Sequence, residues 1–212
     1  MKHLGILLSG RGSNFLAIAD AIDRGRIEDT EVSIVISNRA EAAGIRAARA
    51  RGLTTQVIEA RGRKRAEQDA EMIACLQEHG VDLVCLAGYM RLLSPEFIAA
   101  YPDAILNIHP SLLPSFPGLD AQAQALAYGV GISGCTVHFV DEQLDHGVIV
   151  LQRSVPVLQG DDEETLSARI LEQEHLAYPE AISRVLSGKY SIVDRRYVAR
   201  AAQTATLIEE TK

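Results

Sequence analysis

Short apolar runs recur along the first half of the chain, and segments of helical length separate them. The runs are rich in branched residues and indicate buried strands. The intervening segments are rich in alanine and charged residues, and their closing glycines are typical of helix ends. This alternation predicts an α/β fold with a doubly wound, mostly parallel sheet flanked by helices. The runs span residues 3–9, 32–37, 54–59, 82–88 and 104–109, and the helical segments span 13–25, 40–52 and 65–80.

The pattern changes after about residue 133. Residues 133–157 contain two apolar runs joined by a polar segment, which predicts an antiparallel strand pair appended to the sheet toward the C-terminal end. A long helix from about Asp162 to Leu186 is expected to follow. With 212 residues and 47% hydrophobic composition, the chain can bury its core as one compact domain.

Charge and hydropathy limit the partners and the location of the protein. The net charge of −7 opposes attraction to polyanions, so nucleic acid is not an expected partner. No window holds the roughly 18 consecutive apolar residues of a membrane span, and the first ten residues do not develop an apolar signal-peptide core. We therefore expect no membrane association and a cytoplasmic protein.

The cysteines and histidines do not suggest a metal or disulfide framework. Cys75, Cys85 and Cys135 are far apart in apolar sequence, which favours reduced thiols in a core. The six histidines contain no i, i+4 pair with a glutamate beside it, and no Cys/His spacing that suits zinc. No metal is expected.

A glycine-rich segment, "LLSGRGSNF", follows the first predicted strand and opens the first predicted helix. This junction presents backbone N–H groups and a helix dipole to an anion. The glycines are Gly10 and Gly12, with Phe15 where a dinucleotide motif would have its third glycine, and a Walker lysine is absent. A phosphate site or a purely conformational turn are both compatible with the pattern. Ser13 is a candidate N-cap.

Two polar side chains interrupt the last parallel strand of the pattern. The strand period of two puts Asn107 and His109 on one face with Ile108 on the other, and Pro110 favours an extended backbone at His109. The carboxyl end of a strand is where open α/β sheets bind ligands. An amide and an imidazole side by side can donate to one oxygen, which is what a developing oxyanion requires. The alternative is that Asn107 and His109 only form hydrogen bonds with neighbouring backbone groups.

Four segments together carry a family resemblance. They are "SGRGSN" near the start, "LAGYMRLLSP" at 86–95, "NIHPSLLPSFPG" at 107–118 and "GCTVHFVDEQLDHG" at 134–147. In this order and spacing the chain resembles the folate-dependent formyltransferases from about residue 3 to about residue 188. The first segment resembles the branch of that family that acts on glycinamide ribonucleotide.

The resemblance implies transfer of a formyl group from 10-formyltetrahydrofolate, as cosubstrate, to the substrate amine through a tetrahedral intermediate in purine biosynthesis. It assigns catalytic roles to Asn107, His109 and Asp145. It divides the single domain, 1–212, into a phosphate-binding half (1–100), a catalytic and folate-binding half (101–188) and a tail (189–212). A carboxylate close to an imidazole favours the charged form of the ring.

The resemblance also implies two sets of binding residues. The ribonucleotide set is Gly12, Ser13, Asn14 and Glu174. The folate set is Arg65, Met90, Arg91, Leu92, Leu93, Asn107, Asp141, Glu142, Gln143, Leu144 and Asp145. The partners expected are therefore small molecules, and the protein is expected to be a monomer or a weak homodimer.

Four positions depart from the family pattern. His146 and Val148 stand where the family often has Gly and Pro, Ser115 replaces a common Lys or Arg, and Asp120 replaces a frequent His. The shape of the folate loop is the property that these changes affect.

Two other functions use the same features. A formyltetrahydrofolate hydrolase usually has an additional N-terminal regulatory domain and a methionyl-tRNA formyltransferase a basic C-terminal one, and neither is expected in this sequence. A non-catalytic nucleotide or folate binder is the alternative from a different class, because a fold alone does not establish chemistry. The combination of Asn107, His109 and Asp145 favours catalysis, since binding alone would not require all three.

Overall fold

A seven-stranded sheet forms the centre of the protein in a computed structural model, which describes residues 1–60 and 62–200. The strand order is β3-β2-β1-β4-β5-β6-β7. Strands β1 to β5 are parallel, β6 runs antiparallel to β5, and β7 runs antiparallel to β6. The predicted α/β fold with its appended antiparallel pair is confirmed. The strands are β1 Lys2–Leu8, β2 Thr30–Ser37, β3 Thr55–Val57, β4 Leu83–Leu86, β5 Ile105–His109, β6 Ile132–Phe139 and β7 Ile149–Pro156.

Helices cover both faces of the sheet. The alternation of side chains along each strand divides the core into two clusters, as the strand period of two requires. One cluster packs α1, α2, α5 and α6 on one face, and the other packs α3 and α4 on the opposite face. The helices are α1 Ser13–Asp23, α2 Ala43–Ala50, α3 Arg65–Glu78, α4 Pro95–Ala100, α5 Ala121–Tyr128 and α6 Glu163–Leu186.

Two short helices, α4 and α5, were not predicted from the apolar periodicity. Helix α4 begins at a conventional cap, because the Ser94 side chain accepts from the Phe97 amide at 3.3 Å and Pro95 occupies the first helical position. Helix α5 begins after Asp120, whose backbone is left-handed, and ends at Gly129. Helix α4 has only six residues, and α5 buries only Ala121 and Ala125, so neither shows a helical pattern of large apolar residues.

The long helix α6 is close to its predicted length. Asp162 lies just before it as N-cap, where its side chain and that of Thr165 form a reciprocal capping box. In the middle of the helix, the fully buried Tyr178 shares its hydroxyl proton between the carbonyls of Leu86 (3.1 Å) and Leu106 (2.9 Å). The helix is thereby attached to the end of β4 and the beginning of β5.

The predicted tail contains a second, two-stranded sheet. Strands β8 Tyr190–Val193 and β9 Arg196–Ala199 pair antiparallel, and Tyr197 of β9 packs edge-on against Phe139 of β6. The last part of the predicted tail, 201–212, lies outside the described residues.

The three cysteines are free thiols in the described structure. Cys85 and Cys135 are free and buried in the core, and Cys75 is free and half-buried on α3. Among residues 1–60 and 62–200, each helix is either too short or too polar for a membrane span.

Replacing Tyr178 with phenylalanine removes the buried hydroxyl without removing the ring. We expect Tyr178→Phe to lower the free energy of unfolding by about 1–3 kcal/mol, because two carbonyls lose their donor in the core. Urea denaturation followed by circular dichroism measures this. Tyr128→Phe, at a position that is 79% exposed, should leave the unfolding free energy unchanged. Equal effects of the two changes would contradict the role of the hydroxyl.

Candidate active site

The strand order places the candidate site at the carboxyl edge of the sheet. The chain winds outward from β1 in one direction to β2 and β3 and in the other to β4 and β5, so β1 and β4 border the reversal point. Open sheets of this type bind ligands at such a point. A cavity of about 770 Å³ opens beside it, next to the ends of β4 and β5.

Asn107 and His109 project from β5 into this cavity, as the strand period predicted. Ile108, between them, packs into the core on the opposite face. His109 is only 4% exposed, and its Nε2 donates to the carbonyl of Phe116 at 2.8 Å. The ring is therefore held at Nε2, and its other nitrogen, Nδ1, faces the Asp145 carboxylate.

The proline-containing loop after β5 is held by two strands that follow it in sequence. The Thr136 hydroxyl of β6 donates to the carbonyl of Ser111 at 2.7 Å and accepts from the Leu113 amide at 3.0 Å. Gln152 of β7 donates to the carbonyl of Leu113 at 2.9 Å. The position of the Phe116 carbonyl, and with it the orientation of the His109 ring, depends on these contacts.

Asp145 reaches the same place from the loop between β6 and β7. Its carboxylate is 8% exposed, accepts from the Gly118 amide at 2.8 Å, and lies 3.4 Å from Nδ1 of His109. The Asp145 backbone is left-handed (φ 49°), a conformation that aspartate tolerates better than most residues. The three predicted catalytic side chains are thus brought together.

His138 belongs to this group but was not predicted. It lies directly opposite Asn107 in the antiparallel β5–β6 ladder, and the Asn107 amide nitrogen is 3.3 Å from Nε2 of His138. The His138 ring donates from Nδ1 to the carbonyl of Phe139 at 2.7 Å, which leaves Nε2 to accept from Asn107. Burial lowers the pKa of His138 and so favours this neutral form. Finding His138 would have required knowing how β6 pairs with β5. The apolar periodicity of a single strand does not give that register.

This arrangement can stabilise negative charge on an oxygen. The amide of Asn107 has two N–H bonds, and only one is used by His138. The second Asn107 N–H can donate to such an oxygen, and the His109 ring lies on the same face of β5, against the nearly buried Asp145 carboxylate. Acyl-group chemistry through a tetrahedral intermediate is one reaction that needs these groups.

The remaining predicted folate residues form the walls of the same cavity. Apolar side chains with large exposed fractions face it, among them Met90 (65%), Leu92 (52%) and Leu144 (56%). A cavity with this mixture of apolar walls and a few polar groups suits a flat heterocyclic ligand. The full predicted set that lines it is Arg65, Met90, Arg91, Leu92, Leu93, Asn107, Asp141, Glu142, Gln143, Leu144 and Asp145.

The glycine loop lies at the end of β1 and is tightly packed. Gly12 adopts a left-handed backbone (φ 79°), and a Cβ there would meet the backbone of Gly44 at 2.6 Å. Ser13 is the first residue of α1, so its prediction as the N-cap is wrong. Gly12 occupies the cap position instead, because the turn closes one residue earlier, and no side chain caps the helix.

Asn14 and Glu174 meet beside this loop. The Asn14 amide donates to the Glu174 carboxylate at 2.7 Å, and both side chains are buried. Within the part of the chain that the structure describes, Oδ1 of Asn14 is buried without a hydrogen-bond partner. Burial raises the pKa of the Glu174 carboxyl, while the Asn14 hydrogen bond opposes that rise. The pair is therefore a buried polar contact beside the glycine loop, with one amide oxygen still able to accept a hydrogen bond.

Ser9 links the glycine loop to the cavity wall. Its hydroxyl accepts from the Met90 amide at 2.9 Å, and its amide donates to the carbonyl of Gly88 at 3.0 Å. Gly88 and Met90 both line the cavity. The predicted ribonucleotide residues, which do not line the cavity themselves, are thus attached to its edge.

The four departures from the family pattern occupy different surroundings. Asp120 lines the cavity and precedes α5, whereas Val148 packs against the core. The Ser115 carbonyl accepts from the Ser111 hydroxyl at 2.5 Å. The His146 side chain is not part of the cavity wall, and its Nδ1 lies 2.8 Å from the Asp141 carboxylate.

The sheet and the polar cleft at its carboxyl edge define a class of group-transfer enzyme. A family model described as formyl transferase matches residues 2–182 of this chain. The chain belongs to that family.

Individual relatives narrow the comparison. Phosphoribosylglycinamide formyltransferase of Escherichia coli is 44% identical over 188 residues, which cover 88% of each protein. The human trifunctional purine biosynthetic protein adenosine-3 is 46% identical over 187 residues, and the match spans 88% of this chain but only 18% of that protein. A crystal structure of glycinamide ribonucleotide transformylase 1 from Symbiobacterium toebii superposes with a TM-score of 0.91 at 50% identity, covering 94% of both chains.

The buried Glu174 predicts a pH-dependent stability difference. Its pKa is raised above the ordinary 4.5, so its contribution to stability is present below that pH and is lost as pH rises through the folded-state value. Compared with Glu174→Gln, the wild-type protein should therefore lose unfolding free energy as pH rises above about 4.5. Urea denaturation of both proteins across pH 4–8 measures the difference. The exposed Glu172→Gln should show a nearly flat difference, and a flat difference at Glu174 as well would contradict its burial.

Proposed function

We propose that this protein transfers the formyl group of 10-formyltetrahydrofolate to the amine of 5-phosphoribosylglycinamide in purine biosynthesis. The observation that carries the proposal is the meeting of Asn107, His109 and Asp145 at the floor of the cavity lined by the predicted folate residues. Membership of the formyl transferase family and the names of the relatives support the reaction class.

The two substrates would approach the cleft from different sides. The pteridine ring would enter the cavity between the 90–93 and 141–145 segments, where apolar walls and backbone groups face it. The phosphate would lie on the N–H groups at the start of α1, near Gly12, Ser13 and Asn14. Glu174, oriented by Asn14, would accept hydrogen bonds from the substrate. The formyl carbon would then lie between the amine and the catalytic side chains.

In the proposed mechanism the amine nitrogen attacks the formyl carbon, and the carbonyl electron pair moves onto oxygen. Asn107 Nδ2 donates to this oxyanion, and in the proposal a protonated His109 donates from Nε2 once that nitrogen leaves the Phe116 carbonyl, while Nδ1 stays toward Asp145. The Asp145 carboxylate stabilises the imidazolium and helps remove the proton of the attacking amine. The oxyanion then reforms the carbonyl, the bond from carbon to N10 breaks, and N10 takes up a proton. The products are the formylated amine and tetrahydrofolate.

The expected partners are the two small molecules. The net charge of −7 argues against nucleic acid as a partner, and we propose a cytoplasmic monomer or weak homodimer as the working form.

The proposal is tested by mixing the purified protein with 10-formyltetrahydrofolate and candidate acceptors while following the folate absorbance. We expect turnover with 5-phosphoribosylglycinamide and none with methionyl-tRNA. Loss of the formyl group without any acceptor would identify a hydrolase, and binding of folate without turnover would identify a binding protein. Either result would overturn the proposal.

Removing a proposed catalytic side chain should lower turnover far more than binding. We expect His109→Ala and Asp145→Ala each to reduce kcat by about 10²–10³-fold, as loss of an oxyanion donor or its supporting charge does. The KM for the ribonucleotide should change little, because its proposed site lies at the β1 loop. His79→Ala, whose ring contacts the Cys75 carbonyl at the end of α3, is the matched control and should keep wild-type kinetics. Near-normal kcat in either active-site variant would remove that residue from the mechanism.

A further inference from the structure

The carboxyl-terminal hairpin touches the loop that carries Asp145, although it lies outside the residues that the family model matches. Arg195, in the turn between β8 and β9, donates from Nη2 to the carbonyl of His146 at 2.7 Å. That carbonyl belongs to the residue directly after Asp145. The contact therefore acts on the backbone that sets the direction of the Asp145 side chain.

The same hairpin also holds the beginning of this loop. Tyr197 packs edge-on against Phe139, the last residue of β6, with ring centroids 5.5 Å apart. Tyr190 stacks on Tyr197 from the other strand of the hairpin. The loop is thus contacted where it leaves β6 and again just after Asp145, and both contacts come from one short hairpin.

Arg195 occupies a backbone position that rarely holds arginine. The pairing of Val193 with Arg196 leaves a two-residue turn, and both central residues have positive φ, 47° at Asp194 and 62° at Arg195. Such a turn favours Asn or Asp followed by Gly. Asp194 fits this preference, whereas a long side chain at the second position is strained. The strain cost is comparable to what one exposed hydrogen bond returns, so stability alone does not account for the arginine.

The Arg195 guanidinium also contacts a side chain of the Asp145 loop. Nη1 of Arg195 lies 3.4 Å from Nδ1 of His146, and that nitrogen lies 2.8 Å from the Asp141 carboxylate. The other oxygen of Asp141 accepts from the Gln143 amide at 2.9 Å. The arginine thus faces a His146–Asp141 pair that ties the two ends of the loop together, and His146 is one of the departures from the family pattern.

We propose that Arg195 is a positioning residue, through which the β8–β9 hairpin holds Asp145 in place beside His109. This inference rests on the proposed formyl transfer. Without the guanidinium the 140–148 loop keeps its anchors at Gly118 and Phe139 but loses the contact to the backbone carbonyl directly after Asp145. Asp145 then spends less time against His109 and the Gly118 amide.

Arg195→Gly is a favourable test, because glycine suits the turn and removes only the guanidinium arm. We expect the melting temperature to stay equal or rise, while kcat falls about 10-fold, within the loss that misplacing a catalytic group by about 1 Å can cause. The KM for the ribonucleotide should be unchanged. Arg195→Lys, which keeps the positive charge and a single donor nitrogen, should recover part of kcat relative to Arg195→Gly. Asp194→Asn, in the same turn, and Arg196→Gln, which removes the neighbouring guanidinium, should both match the wild-type protein.

Amide hydrogen exchange reads the position of Asp145 without using activity. The Gly118 amide donates to the Asp145 carboxylate, so Arg195→Gly should exchange this proton several-fold faster while core amides are unchanged. Wild-type exchange at Gly118 together with wild-type kcat would overturn the proposal. A fall in kcat accompanied by a lower melting temperature and faster exchange throughout would also overturn it, since the hairpin would then be only structural. If the wild-type protein transfers no formyl group, the proposed function fails, and the Gly118 exchange still decides whether Arg195 positions Asp145.

Discussion

The site depends on holding the nearly buried carboxylate of Asp145 beside two imidazoles. A buried carboxylate is costly unless other groups compensate it, and here the Gly118 amide and His109 do so from one strand and its loop, while His138 faces it from the next strand. Each of these partners is itself fixed by the backbone: His109 by the Phe116 carbonyl and His138 by the Phe139 carbonyl. The geometry of the candidate site therefore follows from how the strand ends and loops are held.

Helix α6 connects the two proposed substrate regions through the core. Tyr178 binds the last residue of β4 and Leu106 of β5, next to Asn107, and Glu174, one helical turn earlier, meets Asn14 at the glycine loop. A displacement of this helix would therefore move both regions together. This placement provides a physical reason for the proposed reaction to require both ligands in one geometry, since proximity of the reacting groups contributes much of such catalysis.

The sequence predicted most of the candidate site residues, but it did not predict the contacts that hold them. Asn107 and His109 could be placed on one face from the strand period, and the folate set could be assigned from the family motifs. His138 could not, because its role arises from pairing with Asn107 across β5 and β6, a register that one strand does not contain. The cap at Gly12 in place of Ser13 depends on its contact with Gly44, a residue of another helix. The turn of the β8–β9 hairpin was missed because its central residues are Asp and Arg where glycine would have been the signal.

By itself, the sequence determined the layer architecture, the order of the seven strands of the central sheet with helices α1, α2, α3 and α6, the apolar core and the chemical types of the candidate site residues. These follow from local periodicity and composition, which act over a few residues. The tertiary structure alone decided which groups meet: Asp145 with His109, Asn107 with His138, Asn14 with Glu174, and Arg195 with the backbone after Asp145. Those pairs join segments that are distant in sequence, and their distances depend on the packing of the whole sheet with its helices and hairpin.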